Sequence, residues 1–180
     1  MRRYRVERRR VIFIGVEGVS DRAFVTFLQN CCDEKGLHLH LNTKPADGGD
    51  SVVVVEEAAR YLNRHPGRRD ISDKLVLLDS DRINQDKQAG RDAQSVASKE
   101  NLELIFQDPD LEGVLLRLHE GHERRRIVNN AMAELKKVWP QYSKKKLTAD
   151  QLKQRFSLSD LQRAAQYDDE LKRLLEILGL

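Results

Sequence analysis

The sequence predicts an α/β protein: a doubly wound, Rossmann-like, four-stranded and mainly parallel sheet with helices on both faces, followed by a helical C-terminal extension. Three observations carry this. Val11 to Gly15 (VIFIG) and Lys74 to Leu78 (KLVLL) are short, β-branched or leucine-rich runs with no polar alternation, the pattern of strands buried on both faces of a parallel sheet. Between and after them, segments with helical spacing alternate with strand-like runs, the order that defines an α/β sheet. From Asp108 onward the strand signal stops, and only helical patterns follow.

In chain order, Val11 to Gly15 opens the sheet. Ser20 can cap the helix that places Phe24, Phe27, Leu28 and Cys31 on one face, and Gly36 stops it. Leu37, Leu39 and Leu41 alternate with His38 and His40 as an outer strand. After the turn Asp47-Gly48-Gly49-Asp50, a helix with Val52, Val55, Ala59 and Leu62 on one face runs to His65-Pro66-Gly67. Lys74 to Leu78 is the third strand, Gln85 to Lys99 a helix, and Asn101 to Phe106 the fourth strand. Helices are then expected over Leu111 to His119, Ile127 to Trp139 and Leu161 to Leu178. The division is therefore an α/β unit over residues 1–107 and a helical extension over 108–180 packed on the same domain.

With 180 residues, 39% of them apolar, the chain can bury one ordinary core. No apolar run reaches the roughly 20 residues of a membrane span, and the arginine-rich start is unlike a secretory signal, so a cytoplasmic protein is expected. Cys31 and Cys32 are sequence neighbours and lack metal or redox spacing, which reads as two reduced thiols. The net charge of +3 hides an asymmetry: Met1 to Arg10 holds six arginines and one glutamate. Such an arm is either a phosphate-binding element with salt-dependent affinity or a solvated tail.

In a doubly wound sheet, functional groups collect at the carboxyl ends of the strands, where strand order reverses. Glu17 lies just past the first strand, and Asp79 and Asp81 just past the third. A 2-1-3-4 strand order would bring these three carboxylates together. Such a cluster repels itself and suits a hard divalent cation with oxygen ligands, Mg²⁺ in particular. The alternative is that Asp79 caps a helix and that Asp21 is a first-turn acid favoured by the helix dipole.

At these residues the chain resembles a known family. Ile14 to Phe24 (IGVEGVSDRAF) is similar to the first motif of Toprim domains, and Leu77 to Arg82 (LLDSDR) to their D-x-D motif. The OLD and RloB-like Toprim nucleases look closest, because Asp108 to His119 resembles a stretch in which a glutamate opens a helix ending in histidine. The resemblance implies that Glu17 is a metal ligand or general acid/base, that Asp79 and Asp81 hold Mg²⁺ or Mn²⁺, that Asp21 supports the ion, and that Glu112 is a further acidic site residue. It implies hydrolysis of phosphodiesters in DNA or RNA, with a role in defence by analogy alone. It leaves room for a protein partner encoded nearby and for a homodimer. Arg82 departs from the topoisomerase pattern; it either clamps the scissile phosphate or pairs with a neighbouring carboxylate. No tyrosine adjoins the acidic motifs in sequence. Two other readings stay open: a non-catalytic nucleic-acid or partner-binding module, and a primase- or maturase-like factor within a larger complex.

Three weaker signals remain. His119-Glu120-Gly121-His122 reads either as a zinc edge or as a polar helix end, with His119 a candidate phosphate contact. Tyr142 to Lys146 (YSKKK) is either a nucleic-acid contact, with Lys145 as its candidate cation, or a solvated loop. The leucine stripe from Leu161 to Leu178 reads as core packing before a dimer seam, since no strict heptad is sustained.

Overall fold

A computed structural model describes residues 9–127 and 130–180, the side chain of Asn84 apart. All of the arginine-rich arm except Arg9 and Arg10 therefore lies outside the described residues. These two bind the fold, Arg9 to Asp33 at 2.9 Å and Arg10 to Asp73 at 2.8 Å.

Strands β1 (Arg10–Val16), β2 (Leu39–Pro45), β3 (Ile71–Asp79) and β4 (Glu103–Gln107) form one sheet in the order β2-β1-β3-β4, every pair parallel. The 2-1-3-4 order, the condition for the acids of the first and third strands to meet, is thus the observed one. The pleat sends alternate side chains to opposite faces. Ile12, Ile14, Val16, Leu75, Leu77 and Ile105 join α1 (Val19–Glu34) and the C-terminal helices in one core, while Phe13, Val76, Leu78 and Leu104 meet α2 (Ser51–Arg64) and α4 (Ala93–Glu100) on the other side. Helices consequently cover both faces. Among the described residues, no helix is long and apolar enough to cross a membrane.

Gly15 of β1 lies directly under Ala58 of α2. A Cβ built there would lie 2.8 Å from Ala58 Cβ, closer than carbon atoms pack. Gly15→Val is expected to cost about 1–3 kcal/mol by overpacking, read as a lower urea midpoint with an unchanged m-value.

Several boundaries differ from the sequence reading. The outer strand begins at Leu39 and runs on to Pro45, because pairing with β1 fixes its extent where alternation marked only its start. The helix expected over Gln85 to Lys99 is two helices, α3 (Ser80–Gln88) and α4. Gly90 breaks the run at φ 78°, and Asp92 restarts it by accepting from Ser95 N–H at 3.2 Å. α5 (Leu111–Leu118) is as expected. α6 (Ala131–Val138) starts later than Ile127, with Asn130 as its cap, and part of the expected segment lies outside the described residues. The single helix expected from Leu161 to Leu178 is α8 (Leu158–Ala164) and α9 (Asp169–Leu178), preceded by an unforeseen α7 (Ala149–Arg155). Caps set these starts: Thr148 with Gln151 and Ser157 with Asp160 each form a capping box, and Asp168 opens α9 by accepting from Leu171 N–H.

The leucine stripe of α8 and α9 is core, with Leu161, Leu171, Leu174, Leu175 and Leu178 all buried in the same cluster as β1 and β3. Arg117 of α5 and Asp168, the cap of α9, form a buried ion pair at 2.9 Å. Two side chains of α9 reach the sheet itself: Phe106 N–H donates to Glu170 at 2.9 Å, and Arg173 donates to the Leu104 carbonyl at 3.1 Å.

Candidate functional site

The carboxyl ends of β1 and β3 are adjacent, and the chain turns out of both with acids. After β1 come Glu17 and Gly18, and α1 begins at Val19. Asp21, in its first turn, is buried and returns to that turn, accepting from Gly18 N–H and from the Ser20 hydroxyl, each at 3.3 Å. This is the helix-start role that the sequence allowed for it. Its other oxygen faces Gln107 at the end of β4. With the Gln107 amide turned so that its NH₂ points at the acids, that group donates to Asp21 Oδ1 at 3.1 Å and to Asp79 Oδ1 at 3.3 Å. One amide thus bridges the two strand-end acids.

Asp79 occupies the N-cap position of α3, but its carboxylate accepts no hydrogen bond from that helix. The capping alternative therefore fails for Asp79. Burial, followed by the neighbouring charge of Asp21, drives its pKa up to about 8, with Glu17 and Asp110 adding to the repulsion and Lys144 opposing it. Burial likewise raises the carboxyl of Asp21, with Lys144 opposing and Glu17 and Glu112 reinforcing. Asp81 is exposed in the first turn of α3, where its backbone N–H donates to Pro109 O at 3.2 Å. Asp110, which caps α5 by accepting from Gly113 N–H at 2.9 Å, is raised to about 6, mainly by burial.

Glu112 follows on the first turn of α5, 1% exposed. Its two oxygens are taken by the Tyr142 hydroxyl at 2.8 Å and by Lys144 Nζ at 3.4 Å. Glu17 is held by Arg82, which forms an ion pair with it. Of the two roles open to Arg82, pairing with a carboxylate is the one seen here.

Glu17, Asp21, Asp79 and Glu112 are thus brought into one electrostatically coupled group, with Asp81 and Arg82 at its rim. Lys145 is not among them. It is exposed, and the neighbouring Lys144 is the lysine whose charge acts on Glu112, Asp79 and Asp21. The cause is local: Lys144–Lys146 is a single 3-10 turn whose winding points its three exposed lysines in different directions, and it is Lys144 that reaches Glu112. Gln107, Asp110, Tyr142 and Lys144 were missed as site residues. Gln107 carried a signal, a lone polar residue closing an apolar strand. Tyr142 is remote in sequence and arrives by folding, yet it is buried and its hydroxyl is pushed well above the usual tyrosine range, chiefly by burial and then by Glu112. That disfavours it as a nucleophile.

His119, at the end of α5, packs among aromatic rings. Its ring lies against Phe156 and Trp139, and Nε2 faces Arg155 Nε at 2.8 Å. Burial holds its pKa below the usual value, so it is a neutral acceptor for the guanidinium. The Asp47-Gly48-Gly49-Asp50 turn does abut the acid turn, Gly48 N–H donating to Glu17 O at 3.3 Å, and Asp50 caps α2 through Val53 N–H at 3.0 Å.

Among the described residues, no three His, Cys, Asp or Glu side chains already close round a common point as metal ligands. The fold and site define an α/β protein with a buried acidic cluster at the carboxyl ends of adjacent parallel strands. Compared with models of known families, with curated proteins and with solved structures, the chain finds no match.

Proposed function

We propose that this protein is a Toprim-type, metal-dependent phosphodiesterase acting on DNA or RNA, with Mg²⁺ or Mn²⁺ held by Asp79, Asp81, Asp21 and Glu17. The observation that carries the reading is Asp79: a carboxyl at a strand end that makes no cap hydrogen bond to the helix it precedes, and whose pKa burial first and the neighbouring acids second push up to about 8. A group in that position is costly unless a cation offsets it, and perturbed acids gathered at a strand-end switch point mark functional sites. The donors are all hard oxygens, which fits Mg²⁺ in kind. The resemblance of both acidic segments to the Toprim motifs supports the same assignment, and a part in defence rests on that resemblance alone.

When bound, the cation supplies Lewis acidity and lowers the pKa of a water. The side chains do the rest. Glu17 takes the proton of the attacking water as its oxygen bonds to phosphorus and the bridging P–O bond breaks, and the leaving oxygen is protonated from solvent. Arg82, positioned by its pair with Glu17, transfers its donors to a non-bridging phosphate oxygen as Glu17 turns to the water. Lys144 offsets the charge that develops beside Glu112.

The test is cleavage of supercoiled plasmid and of a structured RNA with Mn²⁺ or Mg²⁺. Glu17→Gln, Asp79→Asn and Lys144→Met are each expected to lose at least about 100-fold in rate, with Lys145→Met within about threefold of wild type. Equal cleavage by wild type, Glu17→Gln and Asp79→Asn would remove the assignment. One observation favours a second reading, a non-catalytic nucleic-acid-binding module: Arg82 and Lys144 already supply cations to Glu17 and Glu112. That reading requires no cleavage of any substrate alongside salt-sensitive binding.

A further inference from the structure

Beside the acidic cluster, a second concavity opens between the end of β4, the segment after α5 and the start of α9. It has a volume of about 580 Å³, inside the range of about 300–1,000 Å³ usual for small-molecule seats. Asp108 belongs to both regions. It lines the concavity, and its carboxylate accepts from the Ser80 hydroxyl at 3.1 Å, within the Asp79-Ser80-Asp81 turn.

Its lining combines an aromatic platform with groups that donate and accept. Tyr167 is 46% exposed, and Val19 is the only other large apolar side chain so exposed among the described residues. The Arg124 guanidinium lies 4.7 Å from the Tyr167 ring centre and donates to its hydroxyl at 2.9 Å, with the charge of Glu123 also acting on it. Arg126, exposed at the same rim, makes no ion pair or hydrogen bond among the described residues. Several acids of the lining are already engaged: Asp168 by Arg117, Glu123 by Arg163, Glu170 by the Phe106 N–H. Asp169 remains as an acceptor, and the outer oxygen of Asp108 is met only by Arg117 at 3.9 Å, too far for a hydrogen bond. A purely phosphate-binding groove would have no use for those carboxylates. A nucleobase does, because its amino groups donate to carboxylates while its face stacks on an aromatic or guanidinium plane.

We propose that this concavity seats one unpaired nucleotide of a single-stranded nucleic acid, its base on the Tyr167–Arg124 platform and its phosphate toward Arg126, with the adjoining strand led past Asp108 to the acidic cluster. The proposal rests on the phosphodiesterase reading for the direction of the strand. The base seat itself stands on the concavity alone.

Binding is separable from cleavage. Fluorescence anisotropy of a labelled single strand of about 12 nucleotides is measured in EDTA, where hydrolysis is blocked, with matched duplex and AMP as competitors. Tyr167→Ala is expected to weaken binding about tenfold or more, Tyr167→Phe to stay within about threefold because the stacking face survives, and Arg126→Ala to reduce the salt dependence. Binding by Tyr167→Ala equal to wild type at the same salt, or no binding by the folded wild type, overturns the seat. Tighter binding of AMP than of the strand overturns it in favour of a free nucleotide. Loss of cleavage in every assay with Tyr167-dependent binding intact sinks the phosphodiesterase reading and leaves the seat standing.

Discussion

Asp79→Asn stabilises the metal-free protein at alkaline pH and abolishes its stabilisation by Mn²⁺. The folded carboxyl titrates near 8 against an ordinary value of 3.8, so between those limits the folded state keeps a proton that the unfolded chain has released. Stability then falls as pH rises from about 4 to about 8, and the full cost is present above 8. Asparagine keeps the shape and has no proton to lose. Because Asp21 shares the repulsion and keeps its own raised pKa, replacing Asp79 relieves part of the strain, on the order of 2–3 kcal/mol at pH 9 and nothing at pH 4. Urea unfolding in EDTA at pH 4, 7 and 9 measures this directly. Parallel profiles for the two proteins would show that Asp79 is not the strained group. Mn²⁺ at about 100 times its dissociation constant adds about 2.7 kcal/mol to the wild type, some 5–10 °C in Tm for a chain of this size. The variant is expected to show no such shift, and an equal shift in both would place the cation elsewhere.

Asp168→Ala removes two supports at once. The Arg117 and Asp168 side chains are 6% and 7% exposed, and Arg117 Nε already lacks a partner, so truncation leaves a buried guanidinium bonded only to the Asp108 carbonyl and at the edge of its carboxylate's reach. The same carboxylate caps α9 by accepting from Leu171 N–H at 2.9 Å. A stranded buried charge costs about 3–5 kcal/mol and a lost cap about 1, which lowers Tm by about 10–20 °C. Asp168→Asn keeps a cap oxygen and is expected to recover about 1 kcal/mol. Arg117→Met combined with Asp168→Asn removes the stranded charge and should recover most of the loss. A single alanine variant within about 1 kcal/mol of wild type would mean that water reaches Arg117 and that the pair is weak.

The sheet was legible because its central strands announce themselves. VIFIG and KLVLL have no polar alternation, and only burial on both faces tolerates that. Their acid-ended turns were legible as strand ends, while the neighbourhood of Glu17 and Asp79 hung on a strand order that the sequence left conditional and the fold supplies. What the sequence hid has two physical sources. Helix ends within 85–99 and 158–178 are set by side-chain caps, Asp92, Ser157 and Asp168, whose effect is local and easily overridden by a longer apolar stripe. The lysine and tyrosine around Glu112 come from a segment about 30 residues away, so no local pattern links them. In YSKKK, composition marks the turn without ranking its lysines, and only its winding separates Lys144, which reaches Glu112, from Lys145.

The hold of α9 on β4 reaches beyond helix packing. A final strand carries a row of unmatched backbone donors and acceptors that invites another copy to dock and extend the sheet. Here Glu170 and Arg173 occupy two of those groups with side chains, which cannot propagate the ladder. The extension is thus the selvedge of the sheet. A chain stopped after Gln107 would keep all four strands and Glu17, Asp21, Asp79 and Asp81, yet it would lose Glu112, Tyr142 and Lys144 and bare the β4 border, so that copies join edge to edge. The division at 107/108 separates kinds of secondary structure without separating units that stand alone, and any growth of the intact sheet is left to β2.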